Sequence, residues 1–490
     1  ASFTAVASLV LVAYTRAHPE LDFIDAPGGL WLRAVFFSLV ALGALALLVR
    51  MRGIATMRLA GVPHAKRSRG SLVALFALVV GIVLLLGSRL GDYPFAAPDE
   101  VHHLIVARNL AEYGAYASGH PDARLKYFDS FDSVGPVVLG PVALAFKVFG
   151  TGLGVARGVM VVFFVGLCLA TYGFTRGLFG ARAALVSVAL LLGTYSSIYL
   201  GRTLYGEVPA YFFLLLGLLA WRRALDPSPE QKNRTDQSDP PDQSDWSLAA
   251  SGLWKHHASI WGFLAGVLVG CAVLAKTILI LVAFSFLGAW LYDRVTHRRI
   301  GWRHVIFPVA GGVLVLGCWT VFQRIHGTGA SETGGVLAIY QHYLLFGISS
   351  VAGAFRHAIL PHPVAHLAWL GVLIASVPLL FRHRHDPPAI TLYLYAIFLL
   401  YWWFFFTPGH LHRYLWNAYA ILAIFAAPWL VGALAASLQP EVRRRTRATA
   451  MLAVVMLAWP GLHWTLFQAE EIASNEEMLP EYALIDAVNA

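Results

Sequence analysis

Long apolar runs broken by short polar connections dominate the pattern of this chain. About thirteen runs approach the roughly 20 apolar residues a membrane-spanning helix needs: 1–14, 30–49, 71–90, 153–175, 183–200, 205–221, 258–275, 277–292, 304–322, 366–381, 389–406, 414–435 and 449–467. The apolar run Gly135 to Gly150 is too short to cross and reads as interfacial or re-entrant. Pro98 to Tyr113 differs from all of these. Pro98 suits the first helical position, Asp99 and Glu100 complement a helix N-terminus, and Val101, Leu104, Ile105 and Ala111 form an apolar stripe. The pattern predicts an amphipathic helix lying along the membrane surface.

The distribution of charge orders these spans. Basic residues collect at 50–69, 176–182, 222–255, 294–303, 382–384 and 443–447. With all of these on the cytoplasmic side, every alternate connection falls on the other side without a break in parity. The opposite side then receives 91–152, 201–204, 275–277, 323–365, 407–413 and the acidic tail 468–490. The expected organisation is two additional N-terminal spans with a basic loop (1–70), a core (71–322), an outer loop (323–365), C-terminal spans (366–467) and the tail (468–490). Within the core, 91–152 is the large first outer loop. Residues 226–250, rich in Asp, Pro, Ser and Gln at their centre, read as a disordered cytoplasmic loop. Tyr340, His342 and Tyr343 belong to an expected amphipathic helix acting as a lid.

Composition fits an integral membrane protein: 58% of residues are hydrophobic and 13% charged, with mean hydropathy +0.65. The formal charge of +9 lies in topology-setting loops and calls for no nucleic acid. The three cysteines, Cys168, Cys271 and Cys318, sit in separate spans, so neither a disulfide framework nor a thiolate metal site is expected. The chain opens inside an apolar stretch without Met, which reads as an incomplete first helix rather than a signal peptide.

Under this topology several ionisable residues approach one membrane depth. They are Asp99, Glu100, His102, His103, Arg157, Arg202, Glu207, Lys276, His410, His412 and Arg413, with Tyr205 beside them. Each has a structural alternative: helix capping for Asp99 and Glu100, snorkelling for Arg157 and Arg202, a turn for Lys276. Glu207 is harder to explain that way, because an ionisable group entering an apolar helix usually has a partner or a task. Taken together, a carboxylate ringed by cations suits deprotonation of an acceptor hydroxyl while an anionic lipid phosphate is held and stabilised as it leaves.

At these residues the chain resembles the GT-C superfamily of integral membrane glycosyltransferases, in particular the group of protein O-mannosyltransferases and lipid A aminoarabinose transferases. The resemblance spans roughly residues 71 to 435. It runs through Asp99-Glu100, the segment Ala107 to Gly114, Gly135-Pro136-Val137-Val138-Leu139, Phe149-Gly150 and Val155-Ala156-Arg157. It continues through Arg202 with Glu207, Leu274-Ala275-Lys276-Thr277 and His412-Arg413-Tyr414-Leu415. It implies an all-α polytopic bundle, a polyprenyl-phosphate sugar donor, inversion at the anomeric centre, and Asp99 as base supported by Glu100. Arg157, Lys276, His410 and Arg413 are then candidates for the donor phosphate. Arg202, Tyr205, Glu207 and His103 are candidates for orienting acceptor or sugar.

The implied acceptor is a lipid, a cell-wall glycan or a protein. The implied location is the bacterial inner membrane, with the site on the extracytoplasmic face. No cofactor is implied, and a divalent metal on His102 and His103 is an open alternative. The chain departs from the family pattern in its two spans before Ser71, in Gly135-Pro136-Val137 standing where two prolines and a leucine are common, and in a short acidic tail in place of a soluble domain. The competing readings are a lipid-linked polysaccharide polymerase or ligase, a transporter, and a non-catalytic subunit. A transporter would place its ionisable residues near the midplane on broken helices.

Overall fold

The computed structural model describes residues 69–91, 98–119, 125–127, 134–194, 196–225, 246–296, 300–326, 363–406 and 412–437. The expected spans 1–14, 30–49 and 449–467, the tail, the lid residues Tyr340, His342 and Tyr343, and His410 lie outside them, as do the side chains of His412 and Arg413. Every other expected span is helical, and seven helices are long and apolar enough to cross a membrane. The protein is an all-α polytopic membrane protein.

Helix α1 (Arg69–Gly87) leads to the amphipathic α2 (Pro98–Tyr113), a two-stranded antiparallel pair (β1 Ala117–Ser118, β2 Lys126–Tyr127) and α3 (Pro136–Phe149). Gly114, with φ +70°, ends α2, and the Ala115 N–H reaches back to the Asn109 carbonyl at 3.2 Å. The buried Asn109 amide donates to the carbonyls of Ala117 and Gly119, both at 2.9 Å. The Tyr116 hydroxyl donates to the Val134 carbonyl, also at 2.9 Å. These bonds fold the first loop back onto α3. At 14 residues, α3 is about 21 Å long and does not span a hydrocarbon core of about 30 Å.

The bundle proper follows as α4 (Leu153–Phe179), α5 (Ala181–Leu192), the short α6 (Ser197–Arg202), α7 (Glu207–Leu225) and α8 (Trp246–Ala275). A 3-10 turn (Thr277–Leu281) then precedes α9 (Val282–Thr296), α10 (Arg303–His326), α11 (Pro363–Arg382), α12 (Pro387–Phe406) and α13 (His412–Ser437). Helix α8 begins at Trp246, so the last residues of the 226–250 segment are helical; residues 226–245 are outside the described set.

Two expected spans are not continuous α-helices. The run 183–200 breaks after Leu192, because Gly193 interrupts the ladder and nearby hydroxyls satisfy the freed backbone. Thr194 Oγ1 donates to the Leu191 carbonyl at 2.7 Å, and Ser197 Oγ donates to the same oxygen. The run 277–292 opens as the 3-10 turn before α9, and Lys276, extended (φ −153°, ψ 116°), separates it from α8 at the expected 275–277 connection.

Helix α8 packs on α7 and α10, α4 on α5 and α7, α13 on α5, and α9 on α12. The α8–α10 crossing is glycine-lined: a Cβ at Gly266 would overlap the Pro308 carbonyl, and one at Gly311 the Phe263 carbonyl. Helices α1 and α10 carry exposed apolar side chains such as Phe76, Leu84, Val309 and Val313, which only a hydrocarbon surrounding accommodates in such density.

The two ends of the bundle differ as the charge pattern requires. At one end Arg222 pairs with Asp386 at 2.9 Å and lies 4.6 Å over the Phe174 ring. The Trp221 indole N–H there donates to the His304 carbonyl, and Phe179 meets His383 edge-on. Arg222, Phe179 and His383 belong to the basic connections, and the others lie within a few residues of them. The other end gathers α2, Leu90, Leu204, Glu207 and Lys276.

Gly206 has φ +81°, and a Cβ there would overlap the Ala275 carbonyl. Gly206→Ala is therefore expected to destabilise the protein by roughly 1–3 kcal/mol. Thermal unfolding in detergent, read against Gly140→Ala, where a Cβ meets open space, checks this.

Candidate active site

The site begins where α1 ends. A helix C-terminus leaves carbonyls without intrahelical partners, and in a membrane protein these need donors. Two arginines supply them. Arg202 Nη2 donates to the carbonyls of Ser88 and Arg89, the latter at 2.8 Å, and Arg157 Nη1 donates to the Leu90 carbonyl at 3.1 Å. The rest of the Arg157 guanidinium forks onto Glu100: Nε donates to Oε1 at 3.0 Å and Nη2 to Oε2 at 2.7 Å. Both side chains are 0% exposed. The Leu204 N–H also donates to Glu100 Oε1, at 3.3 Å, while the Leu204 carbonyl accepts from His103 Nδ1 at 2.7 Å. Two side chains of α2 thus grip one residue of the α6–α7 connection. Beside it, the hydroxyls of Tyr199 and Tyr205 lie 3.0 Å apart.

A second group forms at the helix break. The carbonyls of Leu274 and Ala275 press against Gly135 and Gly206, where side chains would collide. This contact brings the starts of α3 and α7 to the end of α8. Lys276 Nζ lies 3.5 Å from Glu207 Oε1, with both residues buried.

His103 stands between the two groups. A carbonyl oxygen only accepts, so the proton bonded to Leu204 sits on Nδ1, and Nε2 is an acceptor with no hydrogen-bond donor among the described residues. Burial, followed by the nearby charge of Lys276, lowers its pKa to about 3. His103 is therefore neutral at physiological pH and unsuited to act as a general base.

Of the three carboxylates, Glu100 and Glu207 are enclosed, whereas Asp99 is only partly buried on α2, four residues before His103. Asp99 is the one of the three with surface open to solvent.

The structure thus brings together Asp99, Glu100, His103, Arg157, Arg202, Tyr205, Glu207 and Lys276, but it bonds and buries them differently. The Arg157 guanidinium, expected at a phosphate, is taken up by Glu100 and the Leu90 carbonyl, because an ion pair with no water access needs its full set of bonds. Glu100, expected to support catalysis directly, is the other half of that pair. Arg202, expected at acceptor or sugar, is fully buried and holds the α1 carbonyls. His410 is outside the described residues. The helix that starts at His412 reaches this end of the bundle: Trp416 Nε1 donates to Ser197 Oγ, and the Tyr211 hydroxyl to the Asn417 carbonyl, both at 2.7 Å.

The rings of His102 and His103 are edge-on with centroids 6.1 Å apart, so they do not converge on one point. No cluster of three or more His, Cys, Asp or Glu suited to a metal occurs among the described residues.

Sequence reasoning missed the backbone partners Leu90 and Leu204, which carry no signal in residue type. It also missed Asn417, whose fully buried amide has no side-chain hydrogen bond among the described residues. A polar residue within an apolar helix was the available cue.

A family model described as dolichyl-phosphate-mannose-protein mannosyltransferase matches residues 133–235, from α3 through α7. Among solved structures, ArnT from Cupriavidus metallidurans in the apo state superposes with a TM-score of 0.54 at 16% identity, covering 82% of this chain and 77% of that one. The same protein bound to undecaprenyl phosphate gives a TM-score of 0.54 at 16% identity, covering 83% and 77%. At such identity the likeness is one of fold. No curated protein matches the chain in sequence.

Breaking the Glu100–Arg157 pair from either side strands a buried charge, so Glu100→Gln or Arg157→Met is expected to cost roughly 3–5 kcal/mol. The double variant should lose clearly less than the sum, which a double-mutant cycle on unfolding in detergent measures. His103 carries a second expectation. Its lowered pKa means the unfolded chain binds a proton between about pH 6.5 and 3 that the folded chain refuses. Its contribution to stability is complete above pH 6.5 and is lost as pH falls toward 3. His103→Gln should flatten that acid limb in a pH series of melting temperatures.

Proposed function

Taking as premise a chain with the GT-C fold of integral membrane glycosyltransferases, we propose that it transfers a sugar from a polyprenyl-phosphate carrier to a hydroxyl-bearing lipid, glycan or protein acceptor. The observation that carries this reading is the separation of Asp99 from the other two carboxylates. Asp99 is the partly accessible one, it is carried on the arginine-clamped helix α2, and both it and Lys276 act electrostatically on His103.

In this reading the acceptor hydroxyl gives its proton to Asp99 as its oxygen bonds to the anomeric carbon. The bond from that carbon to the phosphate oxygen breaks on the opposite face, and its electron pair stays on the phosphate. Attack and departure on opposite faces invert the anomeric centre. Lys276 meets the growing negative charge of the departing phosphate, with His410 and Arg413 as further cations from the sequence pattern. Asp99 then releases its proton to solvent. Neutral His103 presents Nε2 as a hydrogen-bond acceptor toward a hydroxyl of the bound substrates. Glu100, Arg157 and Arg202 hold the frame without touching the reacting atoms.

That ArnT is solved with undecaprenyl phosphate supports a carrier of this class. The distribution of basic connections supports a site on the extracytoplasmic face of a bacterial inner membrane. The chemistry assigned to these residues requires no cofactor.

Asp99→Asn keeps the shape and removes the base. Transfer from a radiolabelled polyprenyl-phosphate sugar to envelope acceptors, with purified protein in lipid, is expected to fall by about 10²- to 10⁴-fold. Undiminished transfer in Asp99→Asn would remove Asp99 from the role of base.

A further inference from the structure

Two buried acid–base pairs lie within one site, and they are built differently. Glu100 receives three N–H donors: Arg157 Nε, Arg157 Nη2 and the Leu204 amide. Glu207 receives none among the described residues. Both of its oxygens are buried without a hydrogen bond, and its ion partner among the described residues, Lys276, lies at 3.5 Å, against 2.7 Å for the Glu100–Arg157 fork. A carboxylate that served only to hold the fold would be expected to accept donors as Glu100 does, since a buried acceptor left unbonded is costly. Glu207 instead stands at the first turn of α7, kept there by Gly206, whose backbone admits no side chain against Ala275. It balances the charge of Lys276 without a directed bond.

We propose that Glu207 is a positioning residue that acts through Lys276. It holds the ammonium at the helix break and, by its own negative charge, keeps the grip of Lys276 on a phosphate loose enough for the polyprenyl-phosphate product to leave. This rests on the reading in which Lys276 faces the donor phosphate. The physical basis is one of charge. Transfer converts a phosphodiester carrying one negative charge into a phosphomonoester carrying up to two, so the product binds a bare cation more tightly than the substrate does. A cation already paired with an enclosed carboxylate offers the phosphate a site of lower net charge, and the penalty grows with the charge of the ligand. Glu207 therefore opposes the product more than the substrate.

The test uses the full chain in lipid nanodiscs and undecaprenyl phosphate as the probe. Glu207→Gln is expected to bind the probe about ten-fold more tightly than wild type. It should also show a first-turnover burst of transfer followed by slower steady turnover, with stronger inhibition by added probe. Glu207→Asp, which withdraws the charge by one methylene, should tighten binding by a smaller factor, about two-fold, and decides the matter should Glu207→Gln fail to fold. Unchanged or weaker binding in a folded variant, or slower turnover without a burst, overturns the proposal. Lys276→Gln separates the two readings. Loss of probe binding there with no tightening in the Glu207 variants rejects only the role of Glu207, whereas unchanged binding in Lys276→Gln rejects the placement of the phosphate itself.

Discussion

The buried fork between Glu100 and Arg157 is the constraint on which this end of the molecule depends. A carboxylate and a guanidinium taken out of water recover their hydration only through close, complete bonding. Here the bonding partners come from four separate stretches of chain. Arg157 also caps the end of α1 through Leu90, and Glu100 also receives the Leu204 amide. Satisfying one pair therefore fixes α1, α2, α4 and the α6–α7 connection relative to one another. Asp99, the next residue to Glu100, inherits that position while remaining partly open to solvent.

A second constraint comes from backbone at membrane depth. Helices break at Gly193 and at Lys276, and in each case freed groups find partners: hydroxyls of Thr194 and Ser197 at the first, a resumed 3-10 turn at the second. The break at Lys276 is held by two glycines whose missing side chains let the α8 carbonyls approach. The result is a cation at the meeting of three helix ends. A lysine at that depth within a continuous helix would instead have to snorkel.

These two constraints explain why neighbouring ionisable residues have different duties. Glu100 and Arg157 are closely hydrogen-bonded to each other and to backbone, whereas Arg202 bonds the Ser88 and Arg89 carbonyls through Nη2 alone. Glu207 and His103 Nε2 are buried without a hydrogen-bond partner among the described residues. Residue type alone does not separate them, because an arginine bound to a carbonyl and one bound to a phosphate look the same in a sequence.

The sequence by itself determined the described spans and the end of the bundle at which the polar residues meet. Hydrophobic length and the placement of basic loops are properties of local composition, and a bilayer reads them one segment at a time. The helix start at Pro98 with Asp99 and Glu100 was legible for the same reason, as was the isolation of Glu207 and Lys276 in apolar surroundings. Only the tertiary structure decided which of these groups touch. Arg157 is 57 residues from Glu100 in sequence, and the Leu204 peptide is 104 residues from it. Pairings at such separations depend on how helices pack, and the backbone groups that complete them have no side-chain signature. Packing enclosed Arg157 against Glu100 and the Leu90 carbonyl, left Asp99 partly open, and set Glu207 3.5 Å from Lys276.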